Sequence, residues 1–171
     1  MPEITKTKLN RLWKGLSAIA CSDSQYNPYK GSIYFRNGWF YATDSFSLIR
    51  VELPLFKLIN YDLGKLYVVE EISEDGYPVL GRNIVTEQRN ANGHADYLDR
   101  LFEPDGVDPA KCEVDLKYLE PVLKCFKALG LAVRFTTDSK RLFISSRHTL
   151  MYRKQCYEVC MGGLVMYKRY A

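Results

Sequence analysis

Residues 33–53 of the chain read IYFRNGWFYATDSFSLIRVEL, and they contain the clearest local fold signal in the sequence. Two aromatic-rich apolar runs, at 33–36 and 39–42, flank the dipeptide Asn37-Gly38. Asn-Gly readily supplies the two positive φ angles of a tight type I′ turn, which is the preferred connection of a β-hairpin. The stretch therefore predicts a hairpin made of these two runs.

More strands and one helix surround this hairpin. Asp44-Ser45 predicts a second turn, and residues 47–53 predict a third strand. Residues 6–20 precede the hairpin and predict an amphipathic helix, because their apolar side chains recur at helical spacing. The predicted buried face of this helix consists of Leu9, Leu12, Trp13, Leu16 and Ile19.

The second half of the chain repeats the order of elements, a helix followed by strands. Residues 116–129 predict an amphipathic helix that Gly130 ends. Residues 96–102 predict a connector that packs its leucine and phenylalanine side chains on the main body. The remaining runs predict a hairpin at 65–69 and 77–80, and four strands at 132–136, 141–145, 150–154 and 165–169.

These elements together predict an α+β fold with an internal duplication of architecture. A chain of 171 residues suits a single domain. We therefore expect one domain over 1–171, built from half-domains at about 1–95 and 96–171, each with a helix followed by strands. Both helices have apolar residues on one side and basic residues on the other.

Bulk composition restricts the class of protein. The chain has 24 Lys and Arg against 20 Asp and Glu, for a formal net charge of +4. This excess is small for a nucleic-acid binder, so DNA contact requires that the positive charge be concentrated on one face. There is no apolar run long enough for a membrane helix and no signal-peptide pattern, and the five cysteines include no CxxC pair. We expect a cytoplasmic protein with reduced thiols and no membrane contact.

Catalytic and metal-binding patterns are weak. Cys156, Cys160 and His148 lack the second ligand pair of a zinc site, and no nucleophile motif surrounds any cysteine. The acidic residues Asp96, Asp99, Asp105 and Asp108 do not have EF-hand spacing. We expect no enzyme activity, no metal and no cofactor; a small hydrolase using Cys156 or Cys160 is the remote alternative.

Four segments, in this order, resemble one domain of the bacterial DNA polymerase III β subunit, the sliding clamp. Residues 38–48 are similar to a strand of that family followed by Ala-Thr-Asp-Gly-His-Arg-Leu. Residues 97–104 are similar to its link between half-domains, and residues 112–115 to the strand before its second helix. Residues 164–169 (LVMYKR) are similar to its closing Val-Met-Pro-Met-Arg.

The resemblance implies a DNA-clamp (processivity) fold whose helices face double-stranded DNA without reading its bases. The DNA-binding candidates are the basic helix residues Lys8, Arg11, Lys14, Lys117, Lys124 and Lys127. Taken without the resemblance, these residues are better explained as the solvated faces of two amphipathic helices, and the resemblance makes the two explanations about equal.

The resemblance also implies a pocket that captures peptides of polymerases or other clamp-binding proteins. The residues of this chain at the positions that match the family's pocket are Thr43, Ser45, Phe46, Leu48, Val165, Met166 and Tyr167. The alternative for Leu48, Val165 and Met166 is a place in the core.

The chain departs from the family pattern in its motifs, in the length of residues 54–95 and in the number of domains. Ser45-Phe46-Ser47 stands in place of Gly-His-Arg, and Tyr167 stands in place of proline. Clamps of this family also have three such domains per chain and close as dimers, whereas one domain is expected here. A six-domain ring would need a homo-oligomer of six copies. The second possibility is a clamp relative that forms no ring and acts as an accessory or inhibitory interaction module.

Overall fold

The structure of the protein is a computed structural model, and it describes residues 2–21, 31–53, 59–81, 99–103, 113–138 and 140–167. Within these residues it contains two long helices and one eight-stranded antiparallel sheet. The prediction of an α+β domain is confirmed. No helix of the described part is long and apolar enough to cross a membrane.

Both helices have the predicted bounds. Helix α1 spans Lys6–Ala20 and begins at Thr5, whose side chain accepts a hydrogen bond from the backbone N–H of Lys8. Helix α2 spans Leu116–Leu129 and begins at Asp115, whose carboxylate accepts from the N–H of Lys117. It ends at Gly130 in the left-handed conformation, with φ of 70°, which glycine adopts without steric cost.

The sheet has one continuous strand order. The strands are β1 Ile33–Arg36, β2 Trp39–Thr43, β3 Ser47–Glu52, β4 Tyr67–Ile72, β5 Pro78–Leu80, β6 Arg134–Thr137, β7 Arg141–Tyr152 and β8 Gln155–Met166. They lie in the order β5-β4-β1-β2-β3-β8-β7-β6, and every neighbouring pair is antiparallel. The predicted hairpin is confirmed at β1–β2, where Asn37 and Gly38 have φ of 51° and 88°.

The sheet consists of two three-stranded meanders joined at its centre. Strands β1-β2-β3 follow α1, and strands β6-β7-β8 follow α2. The last strand of each meander pairs with the other, so that Ser47 lies opposite Val165 and Glu52 opposite Cys160. The β4–β5 hairpin is added outside the first meander, on the free side of β1.

The second meander differs from the prediction. Two strands predicted at 141–145 and 150–154 form one strand, β7, and β8 begins ten residues before the predicted strand at 165–169. The turn between them is made by Arg153 and Lys154, with φ of 48° and 63°. Neither residue is a usual turn former, so the sequence contained no signal for this hairpin. Residues 168–169 lie outside the described part.

The main core lies between the helices and one face of the sheet. It includes the apolar side of α1, the apolar side of α2 and inward residues of β1–β3, β7 and β8. Two glycines permit this close packing. A Cβ at Gly15 would lie 2.8 Å from the Cys125 sulfur of α2, and one at Gly163 would lie 2.6 Å from Val122. The two helices therefore lie side by side over the sheet.

A second apolar cluster covers the opposite, outer face of the sheet. Its members include Tyr34, Tyr41, Leu48 and Leu164, with Leu101 and Phe102 packed against them. Residues 101 and 102 thus contact the main body as predicted, while residues 96–98 of that connector lie outside the described part.

Polar contacts hold the described part of the connector on the outer face. Asp99 accepts hydrogen bonds from the Tyr41 hydroxyl and from Arg50. Burial, and then the Asp99 carboxylate, raise the pKa of Tyr41. The guanidinium of Arg141 donates to the carbonyls of Leu101, at 2.7 Å, and Glu103, at 3.2 Å.

Candidate nucleic-acid interface and partner surface

The predicted basic residues of α1 lie away from its buried side. Arg11 and Lys14 are exposed, and Lys8 is half-buried because its ammonium group donates to the backbone carbonyl of Glu3 at 2.7 Å. Lys6, which is not among the predicted DNA-binding residues, is also exposed on this helix. Helix α1 contains no acidic residue.

The predicted basic residues of α2 are all exposed. Lys117, Lys124 and Lys127 lie on the side opposite the buried residues, and the Lys117 ammonium is 5.5 Å from the centre of the Tyr118 ring. Glu120 is the one acidic residue of this helix. No carboxylate within the described ranges forms an ion pair with any of the six predicted DNA-binding side chains.

The packing of the helices brings the two basic groups onto the same side of the sheet. Together the helices contain seven basic residues and one acidic residue, whereas the whole chain has a net charge of only +4. The rest of the chain is therefore slightly acidic. Flexible lysine side chains on one face attract DNA phosphate groups without holding them at fixed positions. Such contact does not depend on the base sequence.

The predicted partner residues cluster around one end of β3 and β8. The Asp44 carboxylate accepts hydrogen bonds from the N–H groups of Phe46, at 2.9 Å, and Ser47, at 2.6 Å, and this builds the turn between β2 and β3. Ser45 has a φ of 77°, and the Thr43 hydroxyl accepts from its N–H. This turn leaves Phe46 49% exposed, and its ring stacks on Tyr118 of α2 at 4.8 Å.

The remaining predicted partner residues divide between the two faces of the sheet. Val165 belongs to the main core, and Tyr167 packs against that core. Leu48 belongs to the outer cluster, and Met166 packs against it. Because alternate residues of a strand point to opposite faces, these four do not converge on one pocket. Ser45 and Phe46 are the exposed members of the predicted set, and Phe46 stacks on Tyr118, a residue that the prediction did not include.

A second aspartate turn, at Asp138, stands beside the first and joins β6 to β7. The Asp138 carboxylate accepts from the N–H groups of Lys140 and Arg141, both at 2.8 Å. It also forms a buried ion pair with the Arg141 guanidinium at 2.7 Å. The available signal was the repeated tripeptide Thr-Asp-Ser at 43–45 and 137–139.

The two aspartate turns hold the end of β8 between them. Met166 donates its N–H to the carbonyl of Phe46 at 2.9 Å, and Tyr167 donates to the carbonyl of Lys140 at 3.0 Å. The segment that resembles the closing motif of the clamp family is thereby fixed next to the exposed Phe46 ring.

The described Cys160 thiol and His148 imidazole do not converge. Val159 pairs with His148 and Arg147 pairs with Cys160, so the imidazole and that thiol point to opposite faces of the sheet. Burial raises the pKa of the Cys160 thiol, and it raises the pKa of Cys125 to about 12. Among the described residues, no group of three His, Cys, Asp or Glu could hold a metal ion. Asp96, Asp105 and Asp108 lie outside the described part.

Comparison with known proteins gives no family model, no curated protein and no solved structure that matches this chain.

Proposed function

We propose that this protein is a non-catalytic, sliding-clamp-like DNA-binding protein that contacts the phosphate backbone through the exposed sides of α1 and α2. The observation that supports this proposal most strongly is the concentration of positive charge on these two adjacent helices. A chain with a net charge of +4 has seven basic residues and one acidic residue there. Because the net positive charge of the chain is small, DNA binding requires that the positive charge be concentrated on one face, and these two helices provide such a face.

The topology supports a clamp-like domain. Two units, each a helix followed by a three-stranded meander, share a central antiparallel pair made by β3 and β8. Their helices pack together on one face of the sheet. This is the arrangement expected of two half-domains that place paired helices towards DNA and a continuous sheet on the outside.

The free edges of the sheet offer a route to a ring. Among the described strands β6 pairs with β7 alone, and Arg134, Phe135 and Thr136 are exposed along it. Strand β5 is the other edge, where Val79 is 44% exposed. Pairing of one edge with the opposite edge of the next copy is a head-to-tail contact, which closes into a ring when the rotation permits. Six copies would supply the six domains of a clamp.

The proposed DNA contact is tested by reversing charge on both helices. We expect Lys14→Glu with Lys124→Glu to weaken binding to a fluorescent 30-base-pair duplex. Since log K falls with log salt by about 0.9 per neutralised phosphate, six contacts per copy give a slope near −5, and the variant gives a distinctly shallower one.

Lys140→Glu with Lys154→Glu is the matched control, because both residues are exposed, neither lies on a helix, and neither forms an ion pair with a described carboxylate. This control should retain most of the affinity and the wild-type slope. Equal losses in the two double variants would contradict a helix-face site, and so would absence of DNA binding at low salt.

The exposed aromatic surface favours a second candidate, a clamp relative that forms no ring and docks a replication protein. Phe46 and Leu116 are 49% and 61% exposed, and Phe46 stacks on Tyr118 beside the end of β8. Two results together would favour this candidate. The protein would capture a polymerase subunit and lose that binding in the Phe46→Ala variant, and it would be a monomer that does not bind DNA. Leu63→Ala, at another highly exposed leucine, is the control for nonspecific apolar contact.

A further inference from the structure

A large groove lies on the outer face of the sheet, opposite the helices. Its volume is about 870 Å³, which is within the range of ligand sites. The connector residue Phe102 forms one side, and β6 with Ala132 and Val133 forms the other. Gly162 forms part of the floor, where a Cβ would lie 2.9 Å from the Phe102 ring. The missing side chain therefore lets the Phe102 ring pack directly on β8 and form the wall of the groove.

Arginine side chains from three strands line this groove. They are Arg50 of β3, Arg134 of β6 and Arg147 of β7. Arg147 already has a carboxylate partner, since it lies 3.5 Å from Glu158 in an exposed pair. Arg134 is exposed, and no carboxylate of the described residues lies within ion-pair distance of it.

Arg50 is held rigidly, but its hydrogen bonding is incomplete. Its guanidinium lies between the rings of Trp39, at 4.5 Å, and Phe102, at 4.1 Å, and its Nη1 is 3.4 Å from Asp99. The Nε atom is buried and has no hydrogen-bond partner among the described residues. The side chain as a whole is 25% exposed, and its contact with Asp99 is longer than a normal charge-assisted hydrogen bond, so its exposed N–H groups can take a further acceptor from the groove.

The surrounding side chains restrict the chemistry of that acceptor. Glu52 and Glu158 also line the groove, so a polyanion such as a nucleic-acid strand would meet repulsion there. Phe143 and Phe102 provide apolar contact next to the arginines. A ligand with isolated carboxylates between apolar groups fits this mixture, because arginine binds carboxylates through paired N–H donors.

We propose that this groove binds an extended acidic peptide segment of a protein partner, with carboxylates held by Arg134 and Arg50. The peptide lies along the groove between β6 and the connector, and its apolar side chains contact Phe102 and Phe143. This site is on the face opposite the proposed DNA contact. Peptide binding in the groove should therefore not depend on whether the protein binds DNA.

The test measures, by anisotropy, binding of a fluorescein-labelled octapeptide that has two glutamates separated by valine and serine residues. We expect Arg134→Glu to weaken binding by at least about tenfold, the loss expected when a charge-assisted contact is removed. Arg134→Gln should give a smaller loss in the same direction. Lys154→Glu makes the same charge change at an exposed turn outside the groove and should leave binding unchanged.

A lysine–valine octapeptide distinguishes the site from a general sticky surface. Wild-type protein should not bind it, whereas the Arg134→Glu variant should bind it more tightly than wild type does. Equal binding of both octapeptides, or a loss in Lys154→Glu as large as in Arg134→Glu, would overturn the proposal. So would retention of a labelled DNA duplex that depends on Arg134, because the groove would then be a nucleic-acid site.

Discussion

Replacing Arg141 with methionine should strongly destabilise the protein. The Arg141 and Asp138 side chains are only 8% and 1% exposed, and their charged groups are 2.7 Å apart. Methionine fills similar space but leaves the Asp138 carboxylate buried without its counter-ion. Loss of one partner of a buried pair costs about 3–5 kcal/mol in the free energy of unfolding. The carbonyls of Leu101 and Glu103 lose their donor as well.

Thermal unfolding followed by circular dichroism measures this cost. For a chain of this size about 1 kcal/mol corresponds to 2–4 °C, so we expect a loss of roughly 6–20 °C in the unfolding midpoint. Arg147→Met is the matched control on the same strand. Its pair with Glu158 has side chains 74% and 60% exposed, and removal of such a pair costs about 0–1 kcal/mol.

A result within about 1 kcal/mol of wild type for Arg141→Met, or equal losses in the two variants, would refute this reasoning. In that case the guanidinium would not hold the β6–β7 turn and the connector together.

Two further predictions concern the interior and the thiols. Gly15→Ala should lower the free energy of unfolding by about 1–3 kcal/mol, because the added methyl group overpacks against the Cys125 sulfur even though alanine favours helix. In a Cys125→Ala background the same change should become neutral or stabilising. An unchanged cost there would show that the two helices are not in contact at this point. At pH 8, iodoacetamide should label the exposed Cys21 and Cys156 quickly and Cys125 slowest of the four described thiols. Cys125 is buried and its pKa is raised to about 12, so little of the reactive thiolate forms. Mass spectrometry of the labelled peptides measures the rates, and labelling of Cys125 as fast as that of Cys21 would contradict this prediction.

Local patterns were sufficient for the helices and the first hairpin. The apolar spacing gave the bounds of α1 and α2, and Asn37-Gly38 marked the β1–β2 turn. These elements are specified by neighbouring residues through periodicity, caps and turn chemistry.

Elements fixed by long-range pairing were harder to predict. Strand β8 contains Gly162 and Gly163, which weaken a strand signal, yet β3 and β7 pair with it on both sides. The glycines are accommodated because Phe102 and Val122 approach the sheet there. Pairing with distant parts of the chain, more than local sequence signals, thus determines the β7–β8 hairpin.

The candidate site was predictable only in part. Helical periodicity placed the basic residues on the outer sides of α1 and α2, but only the packing of Gly15 against Cys125 shows that both sides lie together. The predicted partner pocket came from matched positions along the chain. Strand alternation separates Val165 and Tyr167 from Leu48 and Met166, which a linear comparison does not reveal.

The molar mass of the protein in solution tests the clamp-like proposal most directly. Size exclusion with light scattering should be run over a series of protein concentrations at low salt. A ring of six domains predicts a species of six times the 19.8 kDa chain mass. A monomer or dimer at every concentration would contradict the self-assembled ring and favour the interaction module.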